Sequence, residues 1–139
     1  MRSGRGGPFG AVVVRDGVIV GEGANSVIGT CDPTAHAEVV AIRSAAAALR
    51  NFVLAGSTIY ASSEPCPMCL AAIYWARLDA IVFASDRHVA ARAGFDDGTF
   101  YEELAKRPED RSVPMRQIEL PEGPRLFDEW IAKPDRVPY

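Results

Sequence analysis

A chain of 139 residues, 48% hydrophobic and 24% charged, suits one compact domain (1–139) that buries a core without cross-links. Its formal charge of −3 lacks the basic bias of proteins that neutralise phosphates, so no nucleic-acid partner is expected, and no apolar run is long enough to span a membrane. The start has no apolar leader region, and three cysteines are an odd, sparse set that fits a reducing cytoplasm rather than a disulfide framework.

Phe9 to Val14 and Val18 to Gly23 are apolar runs separated by Arg15-Asp16-Gly17, which predicts a hairpin because glycine tolerates positive φ. Asn25 to Pro33 reads as a loop. Thr34 is the expected N-cap of a helix from about Ala35 to Arg50, with apolar spacing at Val39, Ile42, Ala46 and Leu49. Ser57 to Ser62 is a buried strand. A second helix is expected from Cys66 to about Leu78, its first turn accommodating Pro65 and Pro67. Ala80 to Ala84 is a further central strand. Helical stretches near His88 to Ala93 and Phe100 to Lys106 follow. Met115 to Leu120 reads as an outer strand, Arg125 to Ala132 as a final helix and Lys133 to Tyr139 as an extended tail. The order is a layered α/β pattern, in which helix-connected strands run parallel.

Two segments carry chemistry. Cys66 and Cys69 sit at i and i+3 at a helix start, where the dipole and free N–H groups favour thiolates. His36 begins the other helix. Two thiolates and one imidazole fill three of zinc's four positions and leave the fourth for water. Glu38 then supplies a carboxylate that a structural zinc does not need. It stands two residues after His36, far round an ideal helix axis, so periodicity alone does not bring both to one ion. A redox pair or a structural zinc is the competing reading. Cys31 reads as a small, half-buried loop residue and His88 as a surface histidine.

His36-Ala37-Glu38 with Pro65-Cys66-Pro67-Met68-Cys69 is the H-x-E…P-C-x-x-C signature of zinc-dependent nucleobase deaminases. The chain resembles the cytidine deaminase-like superfamily, and within it the small bacterial guanine deaminases. The closer resemblance rests on Gly7-Pro8-Phe9-Gly10-Ala11, Asp32 to Glu38, Ala72 to Arg77, Ala93-Gly94-Phe95-Asp96-Asp97 and the terminal Tyr139.

That resemblance implies a three-layer α/β/α fold with a central mixed sheet. It implies one Zn²⁺ per subunit on His36, Cys66 and Cys69, with Glu38 shuttling protons. Asp97 would bind the base and assist transfer to the leaving amine. Asn25, Phe9, the Ala37 backbone and Trp75 would contact a small purine base. Tyr139 would reach the partner's site in a homodimer that swaps a segment of about 121–139. Taken singly, Asp97 also suits a turn, Asn25 a loop and Trp75 a core. Phe127 and Trp130 read as a packing face. Members usually carry a helix before the Gly-Pro-Phe-Gly strand. Eight residues precede Phe9 here, so one sheet face is expected to be exposed.

The implied reaction is hydrolysis of guanine to xanthine and ammonia. The rivals are a related substrate (guanosine, cytosine or a triazine), a tRNA adenosine deaminase and a non-catalytic zinc module.

Overall fold

The computed structural model describes residues 4–95 and 97–138; Asp96 and Tyr139 lie outside the described residues. It contains two compact units, Met1–Tyr101 and Glu102–Tyr139.

The first unit is built on four strands, β1 (Gly10–Arg15), β2 (Val18–Ala24), β3 (Ser57–Ser63) and β4 (Ala80–Ser85), in the order β2-β1-β3-β4. Strand β1 pairs antiparallel with β2 and β3, and β3 pairs parallel with β4. The sheet is therefore mixed, and β2, β3 and β4 run the same way, as expected for strands joined through helices. The β1–β2 hairpin closes over Asp16 (φ 51°) and Gly17 (φ 76°), the pair of positive φ values that a two-residue turn requires.

Among the described residues the α-helices, interleaved with and following the strands, are α1 (Val27–Thr30), α2 (Ala37–Leu49), α3 (Pro67–Trp75), α4 (Arg87–Arg92), α5 (Gly98–Ala105) and α6 (Glu122–Ala132). Strand alternation decides the core. Ala11, Val13, Ile59 and Ala61 point inward and pack with Ala37, Ala41 and Ala45 of α2, Ile73 of α3 and Leu54. The alanine face of α2 lies directly on β2 because Gly21 and Gly23 have no side chain. A Cβ at Gly23 would stand 2.0 Å from the Ala37 carbonyl oxygen, and one at Gly21 2.5 Å from that of Ala41. This close approach presses the first turn of α2 onto β2 and fixes where His36 and Glu38 emerge. On the opposite sheet face Ile19, Tyr60 and Val82 are exposed.

Five expectations are corrected. Helix α2 starts two residues late, with His36 as N-cap. Thr34 is instead held in a turn, its N–H and hydroxyl both donating to Asp32 Oδ1 at 2.8 and 2.7 Å. Helix α3 ends at Trp75, and Arg77 turns the chain with φ 58°. Met115 to Leu120 forms no strand among the described residues, although Met115, Ile118 and Leu120 are apolar and exposed. β-propensity needs a ladder partner, and none of the four described strands pairs with this segment. The final helix starts at Glu122, three residues before its expected start, and the 4-residue helix α1 interrupts the expected loop.

The second unit holds the end of α5, a 3-10 turn at Pro108–Asp110 and α6. Leu126, Phe127, Trp130 and Ile131 recur at helical spacing on α6 and are exposed.

Candidate active site

Both ligand-bearing helices begin with a ligand. His36 and Cys66 are the N-caps of α2 and α3, each extended (ψ 152° and 168°), and neither side chain caps its own helix. Pro67 at N1 gives up an N–H that would be unpaired there anyway. Cys69 is then the N3 residue, and N-cap and N3 side chains face each other over the first turn. The His36 Nδ1 lies 3.6 Å from Cys66 Sγ and 3.5 Å from Cys69 Sγ. All three ligand atoms fall within 4.8 Å of one another.

These residues fit zinc. Bonds of about 2.3 Å to sulfur and 2.0–2.1 Å to nitrogen at a tetrahedral angle separate S from N by about 3.6 Å, the spacing found here. The donor set is two sulfurs and one imidazole, which leaves a fourth position free.

Glu38 closes the set. The extended N-cap backbone at His36 breaks the helical phase, so a residue only two positions later reaches the same place. Its Oε2 accepts from Cys69 Sγ at 3.4 Å, and the side chain is 7% exposed. Burial pushes its carboxyl above the usual carboxylate range. The two thiols split. Cys66 falls to about 4, first because the Cys69 thiol donates to its thiolate and then through His36. Cys69 moves up, because the Cys66 thiolate beside it and burial both disfavour a second negative charge. His36 rises, chiefly through its hydrogen bond with Cys66.

A cavity of about 310 Å³ opens over this cluster. Phe9, Asn25, His36, Glu38, Cys66 and Asp97 all line it. The Gly7 N–H donates to Asn25 Oδ1 at 3.1 Å, which leaves the Asn25 amino group as the donor end. Phe9 meets Phe95 edge to face at 4.8 Å. Asp97 is raised mainly by burial. Ala37 is fully buried, with its carbonyl against Gly23, and is not part of the cavity wall.

Trp75 is corrected. It is 61% exposed and lies outside the cavity wall of this chain. Six residues past Cys69 it stands about 240° round the axis, on another face of α3. The wall also contains Val27, Ile28, Glu64, Arg87, Phe95 and Phe100, which sequence reasoning did not single out. Glu64 had one usable signal, its place two residues before Cys66. The rest come from α1, α4, α5 and the α4–α5 connection and share no period with the metal motif.

A family model for the cytidine and deoxycytidylate deaminase zinc-binding region matches residues 2–85. The chain is 50% identical over 130 residues to guanine deaminase of Bacillus subtilis, covering 94% of this chain and 83% of that protein. The crystal structure of guanine deaminase from that organism superposes with a TM-score of 0.96 at 48% identity, over 99% of this chain and 88% of that one. A tRNA-specific adenosine deaminase of Haemophilus influenzae is 43% identical over 96 residues, which is 65% of this chain and 56% of that protein. The likeness to the guanine deaminase runs through nearly the whole chain, whereas the likeness to the tRNA enzyme covers about two thirds. The chain belongs to the cytidine and deoxycytidylate deaminase zinc-binding family, in its guanine deaminase branch.

Proposed function

We propose that the protein hydrolyses guanine to xanthine and ammonia. The observation that carries this reading is one small cavity over a zinc-type ligand triad, with a buried Glu38 and two polar side chains, Asn25 and Asp97, in its wall. Near-full-length likeness to a guanine deaminase supports the same conclusion.

His36, Cys66 and Cys69 would hold the ion, which when bound supplies a Lewis acid able to bring a water's pKa from about 15.7 toward 7. Glu38, held above the ordinary carboxylate range, takes the proton of the attacking water and returns it to a ring nitrogen. A second transfer, through Glu38 with Asp97, protonates the departing 2-amino group. Water adds at C2, the C2–N bond breaks, and ammonia leaves with xanthine as the product. Asn25 turns its amino group toward an acceptor of the base such as O6. Asp97 accepts from its N1–H and 2-amino donors. Phe9 packs against the ring. The N–H of Gly7 fixes which end of Asn25 faces the base. Purified protein should release ammonia from guanine and much less from guanosine, cytosine or adenine. A site built around matched donors and acceptors discriminates by far more than shape alone. Faster release from any of the other three would overturn the choice of substrate.

The protein is further proposed to act in the cytoplasm, in purine base catabolism, as a homodimer in which segment 121–139 crosses to the partner. The exposed apolar stripe of α6, from Leu126 to Ile131, supports this, since an isolated helix has little reason to present it to water. Tyr139 would then enter the partner's site, and Trp75, exposed on its own chain, would be available to the interface. Sedimentation should give a mass of about twice 15.0 kDa; a monomer at micromolar concentration would refute the exchange.

A further inference from the structure

The reading of Asp97 as a base-binding group leaves open what holds it in place. Asp97 sits in the short connection between α4 and α5, and its carbonyl accepts the Phe100 N–H at 3.0 Å as α5 begins. A connection of this kind is mobile unless both ends are fastened.

The two helices that flank it are fastened to the same dipeptide, α4 at Arg87 and α5 at Tyr101. The first N–H of α4, that of Arg87, donates to Glu64 Oε2 at 3.0 Å. The Tyr101 hydroxyl on α5 donates to the Pro65 carbonyl at 3.1 Å. The Arg87 guanidinium then lies 4.6 Å from the centre of the Tyr101 ring, close enough for a cation–π contact between the two helices. Glu64 is itself tied back to β4, its N–H donating to the Ser85 carbonyl at 2.8 Å. Glu64 and Pro65 immediately precede Cys66, so the clasp and the metal ligand share one stretch of chain.

We propose that Tyr101, together with Arg87 and Glu64, forms a clasp that registers Asp97 to the Cys66 side of the cavity. Tyr101 is a positioning residue for the reaction. The inference rests on the role given to Asp97 above. It adds that the distance between Asp97 and the ligand triad is set by the Tyr101 hydroxyl-to-carbonyl bond, the Arg87 N–H bond to Glu64 and the guanidinium–ring contact. Tyr101 itself does not line the cavity.

The test uses the zinc-loaded protein and Tyr101→Phe, which keeps the ring and removes the hydroxyl. Amide hydrogen exchange across residues 93–99 should become roughly fivefold faster, the worth of one ordinary hydrogen bond. The kcat for guanine should fall by a similar factor, with zinc content unchanged. In an Asp97→Asn background the same substitution should cost less than about twofold, because residues acting through one group are not additive. Unchanged exchange overturns the clasp whatever Asp97 does. Equal losses in both backgrounds overturn its action through Asp97. If Asp97→Asn alone leaves guanine turnover intact, the assignment of Asp97 falls, and the exchange measurement still decides the clasp. Tyr101→Leu, which also removes the ring contact, should loosen the segment further than Tyr101→Phe. Should it do no more than Phe, the guanidinium–ring contact has no part in the clasp.

Discussion

Replacing Glu38 with glutamine should lower kcat for guanine by about 10²–10⁴ while zinc stays bound, the usual range for removing a positioned general acid–base. Glutamine fills nearly the same volume and keeps an oxygen to accept from Cys69, so packing at this buried position survives. What it cannot do is carry a proton. The parent carboxyl is suited to that task because burial lifts it above its ordinary range, which brings its affinity for a proton nearer neutral pH. Metal analysis must accompany the rate measurement, since Glu38 lies beside a ligand. A zinc-loaded Glu38→Gln protein within tenfold of the parent would remove the proton shuttle from the mechanism. It would also revive a purely structural role for the metal.

Stripping zinc should abolish ammonia release and lower the melting temperature together. The ligands sit at the starts of α2 and α3, so a bound ion would tie together two helix ends whose local cluster is small, with Val39, Met68 and Ala72 around the two cysteines. With free zinc a thousandfold above its dissociation constant, binding to the native state alone is worth about 4 kcal/mol. Chelation therefore has a large thermal signature as well as a catalytic one. Cys69→Ala reaches the same state by another route. It should lose the metal on dialysis, and further chelator should leave its melting temperature where it is. Full activity in metal-free protein, or a chelator shift in Cys69→Ala as large as in the parent, would exclude His36, Cys66 and Cys69 as the zinc ligands.

The local elements were legible because local spacing determines them. Asp16-Gly17 sets a two-residue hairpin, and the structure closes it there. Cys66 and Cys69, three apart behind a proline, face one another at any helix start. The alanine-rich run from Val39 onward is a helix by propensity and by period. Helix boundaries were less legible. Thr34 has the right chemistry for a cap, but Asp32 two residues earlier competes for the same groups and takes them.

The amino-acid sequence by itself determined the ligand types, the order of strands and helices and the presence of a spare carboxylate. Only the tertiary structure decided that Glu38 reaches the cluster, through an extended N-cap and the close seating of α2 on Gly21 and Gly23. It alone placed Trp75 outside the cavity and brought Arg87 and Tyr101 to Glu64 and Pro65, across 23 and 36 residues of chain. It alone left Met115 to Leu120 without a strand partner among the described residues. The physical reason is common to all of these. Spacing along the chain governs contacts within one turn of helix or one hairpin. Contacts between distant segments depend on how elements pack, and no period in the sequence encodes that.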